Sequence, residues 1–254
     1  MYMDEQTLKL KNPPIVEAIL NIDCDMPPSQ DIAALQEHAR AAFRPQYPQF
    51  RSVLTMEHRI ETKPEAQPQL SIKNNLQSLQ FLQEDGKQLV QVRAQGFSFN
   101  RLAPYSTLDD YLGEMERAWS VFIAIASPVK VRVVQLRYIN RILLPMSGGK
   151  LELGDYLKIC PRLPDEEKLG FLGFLNQHAA LEKDTGNQVN IILAAQPVEN
   201  EKLPIIFDIT AVRQLDTEPK NWPAILDAIK SLRRLKNLVF RNTLTDTCIN
   251  LFQH

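Results

Sequence analysis

Apolar and polar positions change period several times along the chain, and each change marks an element. Ile15 to Asp23 is an apolar, β-branched stretch behind Asn12-Pro13-Pro14, which predicts a strand. Pro27-Pro28-Ser29 closes it, with Ser29 placed as a helix cap. Asp31 to Phe43 then carries Ile32, Leu35, Ala39 and Ala42 at helical spacing. From Phe50 to Asn100 the period is two. A strand of mixed polarity from Val53 to Glu61 is followed by strands over Leu70 to Leu82 and Gln88 to Phe99, with Glu84-Asp85-Gly86-Lys87 as a hairpin turn. That is a three-stranded meander. Ser106-Thr107-Leu108-Asp109 has the form of a capping box. Behind it Leu108, Leu112, Met115, Trp119, Phe122 and Ala126 fall on one stripe of a helix that Pro128 ends.

The order then returns. Val131 to Leu144 predicts a strand and Leu151 to Ile159 a short helical piece; Phe171 to Glu182, Val189 to Ala195 and Pro204 to Leu215 predict a second meander, with a turn at Asp184-Thr185-Gly186-Asn187. Asn221 caps a long last helix that turns Trp222, Leu226, Ile229, Leu232 and Val239 toward a core. Both halves therefore read strand, short helix, three strands, long helix. The expectation is an α+β fold: a duplicated β-α-β-β-β-α unit in one domain over 1–254, with halves 1–127 and 128–254. Its extended antiparallel sheet would be covered by two long helices.

Composition narrows the function classes. The 29 Lys and Arg against 30 Asp and Glu give a net charge of −1, without the basic excess of a general nucleic-acid binder. The first half carries 12 basic and 16 acidic residues, the second 17 and 14. Only 9 glycines accompany 17 prolines, which leaves little material for phosphate-cradling loops. Cys24, Cys160 and Cys248 are scattered and read as reduced thiols, and with four scattered histidines they offer no metal-ligand spacing. The longest apolar run, Val121 to Val129, is too short to span a membrane, and the first residues lack the basic and apolar regions of a signal peptide. The chain is therefore read as cytoplasmic, with no membrane association, no cofactor and no metal.

Three places carry candidate chemistry. In Gly96-Phe-Ser-Phe-Asn-Arg-Leu-Ala-Pro-Tyr105, Asn100 and Arg101 sit near a strand end and Tyr105 just before a helix start. That arrangement suits an anion or polar ligand, or else a structural corner. In Arg137-Tyr138-Ile139-Asn140-Arg141, Arg137, Ile139 and Arg141 share one strand face and Tyr138 and Asn140 the other. The arginine face would meet phosphate, an acidic partner or carboxylates on neighbouring strands. Asn100, Arg101, Tyr105, Arg137, Tyr138 and Asn140 form the expected ligand surface. The last helix carries Lys230, Arg233, Arg234, Lys236 and Arg241, a nucleic-acid or acidic-partner stripe or a solvated face favoured by the helix dipole. Enzyme signatures are mostly absent: no Walker loop, GxGxxG or GxSxG occurs, and Asp165-Glu166-Glu167 reads as a loop or helix start.

Asn12-Pro-Pro-Ile-Val-Glu-Ala, Gly96 to Tyr105, Leu136-Arg-Tyr-Ile-Asn-Arg-Ile and the closing Phe240-Arg-Asn-Thr-Leu-Thr245 together resemble a sporadically distributed family of small bacterial proteins of unknown function. The Asn-Arg-Leu-x-Pro-Tyr piece is the most specific part. The family often has His-Glu before its basic stretch, where this chain has Ala228-Ile229-Lys230. The resemblance implies a self-contained module, and patchy distribution implies accessory or defence-type gene neighbourhoods on mobile elements. The expectation is a binding module with a protein partner or a second copy of itself. Nucleic-acid binding through Lys230, Arg233, Arg234 and Arg241 is the alternative, and an enzyme acting on a phosphate-bearing small molecule the third reading.

Overall fold

The structure is a computed structural model describing residues 10–28, 31–61, 69–148, 150–165, 168–170 and 172–253, with side chains described outside 56–74. Among the described residues the alternating patterns become nine strands: β1 (Ile15–Asp25), β2 (Gln49–Glu61), β3 (Gln69–Leu82), β4 (Gln88–Arg93), β5 (Gly96–Leu102), β6 (Lys130–Pro145), β7 (Leu175–Leu181), β8 (Gln188–Ala195) and β9 (Lys202–Thr217). They form one sheet in the order β2-β3-β4-β5-β1-β6-β9-β8-β7, and every pair is antiparallel. The helices are α1 (Gln36–Phe43), α2 (Leu108–Ala126), α3 (Trp222–Thr243) and α4 (Asp246–Asn250). The α+β class and the extended antiparallel sheet are as the periodicity predicts.

Register decides which side chains the helices cover. Leu20 pairs with Phe99 and Leu136, Ile22 with Phe97 and Val134, and Ala18 with Tyr138, so the even positions of β1 and β6 share a face with the odd positions of β5. Phe43 of α1 stacks on Phe81, Trp119 and Phe122 of α2 pack on Phe97, and Phe240 of α3 stacks on Phe207 of that same face. Trp119 is 1% exposed, and its indole N–H donates to Pro219 O at 2.9 Å, so the largest core side chain has no unpaired polar atom. The resulting core runs continuously beneath both halves. Among the described residues no helix packs on the opposite face, and no helix is long and apolar enough to cross a membrane.

Several expectations need correction. The stretch Gln88 to Phe99 is two strands, because the chain turns at Ala94 and Gln95, and the first meander has four strands. The helix expected from Asp31 begins at Gln36; Ile32, Leu35 and Ala39 are buried as predicted, but Ala42 is exposed and Phe43 takes the inward place. The box that starts α2 lies one residue later, with Thr107 N–H donating to Asp110 at 3.1 Å. The piece expected over Leu151 to Ile159 is a single 3₁₀ turn, Leu153–Asp155. In α3 the buried stripe is Ile225, Ala228, Ile229, Leu232 and Leu235, with Trp222, Leu226 and Val239 half-buried beside it. Asn221 caps it, accepting from Ala224 N–H. A short helix α4, capped by Thr245, follows α3 where no periodic pattern signals it. The expected cap at Ser29, the first nine residues, Gly149 and Glu166-Glu167 lie outside the described residues.

The split of the meander rests on Gly96. Its φ is +148°, and a Cβ placed there would stand 2.1 Å from Ile22 O, inside the backbone of β1. Gly96→Ala therefore pushes β5 off β1 and is expected to cost more than about 2 kcal/mol. Denaturant titration measures this, and an unchanged midpoint would refute the contact.

Candidate functional site

The structure divides the six expected ligand residues between two faces. Neighbouring residues on a strand point to opposite sides. Asn100 and Arg137 therefore lie on the face without helices, each opposite Ile19, whereas Arg101, Tyr138 and Asn140 lie beneath the helices. Tyr105 joins the helix side, its hydroxyl 2.9 Å from that of Tyr138. A single ligand surface made of all six is thus corrected. Arg101 spreads over the Tyr111 ring of α2 at 5.2 Å, and its Nε is buried without a hydrogen-bond partner. Asn140 donates to the Phe207 carbonyl at 2.9 Å and serves the interior.

On the helix-free face, polar side chains hold one another across the strands. Gln80 Nε2 donates to Gln91 Oε1 at 3.0 Å, Gln91 Nε2 to Asn100 Oδ1 at 3.0 Å, and Asn100 Nδ2 to Glu17 Oε1 at 2.8 Å. This is a one-directional chain of amides ending on a carboxylate, the arrangement in which each bond polarises the next. Across β1, Arg137 Nε reaches both Asp208 oxygens at 2.9 and 3.0 Å, and Nη2 adds a third bond at 2.5 Å. That hydrogen bonding, with the charges of Asp208 and Glu17 behind it, raises the Arg137 pKa. Alongside, Ser98 donates to Asn21 at 2.6 Å and Arg93 to Asp23 at 2.6 Å. Ser98, Asn100 and Asp208 are only 1%, 4% and 5% exposed although no helix lies over them among the described residues. Both Asp208 oxygens are engaged by the Arg137 guanidinium.

Beneath the helices lies a second polar group. Lys236 of α3 places Nζ 4.1 Å from the centroid of the Tyr138 ring. Burial, reinforced by the nearby charge of Arg233, lowers its pKa to about 7, and among the described residues no carboxylate pairs with it. Arg233 is paired with Asp109 in the first turn of α2 at 2.7 Å. Burial pushes the Tyr138 phenol up to about 12 and Tyr105 higher still. Of the expected basic stripe, Lys230, Arg234 and Arg241 are exposed, while Arg233 and Lys236 turn inward toward α2 and the sheet.

Sequence reasoning missed Glu17, Gln91 and Asp208. The signal was present in β1, where Glu17, Ile19, Asn21 and Asp23 alternate with Ala18, Leu20, Ile22 and Cys24, the alternation of a strand with one wet face. Neither a scan against protein-family models nor a search of curated proteins finds a match to this chain.

Lys236 makes stability depend on pH. Its pKa falls from the ordinary 10.5 to about 7 on folding. Between those values the unfolded chain holds a proton that the folded protein has released, so stability rises with pH across that window and is flat below it. Lys236→Met is expected to remove the rise and to stabilise the protein by about 1–2 kcal/mol at pH 7. Unfolding midpoints collected from pH 6 to about pH 10 test this, and an identical profile for the variant would exclude Lys236 as the source.

Proposed function

We propose that this protein is a non-catalytic binding module whose binding surface is the helix-free face of the sheet around Asn100 and Arg137. One observation carries the reading: polar side chains with little exposure are fixed in a hydrogen-bonded array on a face that no described helix covers. Side chains already held in one geometry lose little freedom when a partner docks, which lowers the cost of association. The array balances Glu17, Asp23 and Asp208 against Arg93 and Arg137, with half-buried Ile19 and Ile139 between. This mixture fits a protein surface of mixed polarity better than a polyanion. Among the described residues the face carries no aromatic side chain, so it lacks the stacking groups of a single-strand nucleic-acid platform.

We also read the halves as one duplicated unit. β1 and β6 adjoin at the centre, and β5 and β9, the last strands of the two meanders, flank them in mirrored order. Three free cysteines, two of them buried, support a reducing cytoplasmic setting. The family resemblance supports a place among accessory components of mobile or defence-type bacterial systems.

The test uses positions on this face outside the hydrogen-bonded array. Gln135→Lys with Ile139→Lys should leave the unfolding midpoint near that of the parent and abolish retention of whatever binds the native protein. Equal retention by a folded double variant would move the site elsewhere.

A second reading keeps support from α3, where Lys230, Arg234 and Arg241 stand exposed within one helical stripe. If that stripe binds nucleic acid, the logarithm of affinity should fall against the logarithm of salt concentration, and Lys230→Gln with Arg241→Gln should reduce the slope by about 2. No mobility shift at low salt would dispose of this reading.

A further inference from the structure

We infer that β7 is a self-association edge, through which two copies of this chain pair about a twofold axis and join their sheets. The inference is independent of the binding-face reading. β7 is the last strand of the sheet, its residues other than Asn176 are exposed, and Leu-Asn-Gln-His-Ala-Ala-Leu contains no acidic residue, lysine or arginine. The opposite edge, β2, carries Arg51, Glu57, Arg59 and Glu61 in its sequence. Charges of that kind keep an edge from recruiting another strand, and β7 is without them.

The backbone of β7 is set for a second strand. Ala195 N–H bonds to Phe174 O and Glu182 N–H to Asn187 O, which fixes the even-numbered residues of this segment as those bonded to β8. The N–H and C=O groups of Leu175, Gln177, Ala179 and Leu181 therefore point outward, and among the described residues no strand pairs with them. Two of the large apolar side chains that stay exposed, Leu175 and Leu181, stand at the two ends of β7, at 72% and 60%.

The spacing selects a second copy as the occupant. Leu175 and Leu181 lie equally far from His178 on either side. Antiparallel pairing about His178 sets Leu175 of one copy against Leu181 of the other at both ends, and Gln177 against Ala179. All four outward-pointing residues then fall at hydrogen-bonding positions. The leucines meet on one face, which continues the helix-free face of one copy into that of the next.

The full chain should sediment as a dimer of 29.0 kDa protomers. Gln177→Pro removes an N–H that the β8 ladder does not use, and it should weaken dimerisation at least tenfold while leaving the unfolding midpoint of the monomer unchanged. Leu175→Lys with Leu181→Lys brings like charges together across the axis and should do the same; this variant decides the matter if the proline variant fails to fold. In a Cys160→Ser background, His178→Cys stands at a non-hydrogen-bonded pair, where the two Cα atoms are about 4.5 Å apart and within disulfide reach. Oxidation should cross-link it. A monomer at every concentration tested, a dimer indifferent to both substitutions, or no cross-link at position 178 would overturn the proposal. A protein that pairs with a different chain while remaining monomeric alone would do so too.

Discussion

The pairing of β1 with β6 is the constraint on which the rest of the molecule depends. These strands meet at the centre of nine, and each carries its own meander outward, so the sheet is continuous only because they are in register. Leu20 against Leu136 and Ile22 against Val134 put the apolar positions of both under the helices. A slip of one residue would send Leu20 and Ile22 to the helix-free face and bring Asn21 and Asp23 toward Trp119 and Phe122, exchanging buried apolar contact for unpaired polar groups. Gly96 holds the adjoining β1–β5 register, since only a residue without Cβ lets β5 turn in against Ile22 O.

Two polar systems follow from that register, and they behave differently. On the helix-free face Gln80, Gln91 and Asn100 each donate to an acceptor on the next strand, so this amide chain is held with no helix over it among the described residues. Beneath the helices the charges are unevenly matched. Arg233 has Asp109, but Lys236 has an aromatic face and no carboxylate among the described residues. Desolvation lowers the pKa of Lys236 toward neutrality, so the charge that α3 sets against the Tyr138 ring depends on pH.

The two edges of the sheet differ as well. β2 carries charged residues of both signs along its length, while β7 presents outward backbone groups and exposed leucines. Among the described residues the helices gather on one side, which leaves one face of the sheet without a helix and the β7 edge without a paired strand.

Local pattern along the chain is enough for the α+β class, most strand positions, the long helix behind Thr107 with its Met115–Trp119–Phe122 stripe, and the Asn221 cap. Each of these is written in local periodicity or in the chemistry of one turn. It also placed Arg137 and Tyr138 on opposite sides of a strand, because alternation needs no knowledge of neighbours. It takes the folded arrangement to set Asn100 against Glu17 and the adjoining Arg101 against Tyr111. That arrangement alone shows that Asp208 lies across from Arg137, and that Arg233 and Lys236 leave the basic stripe for the interior. Those relations join residues distant in the chain, and strand order and register, which create them, depend on long-range packing that no local pattern encodes.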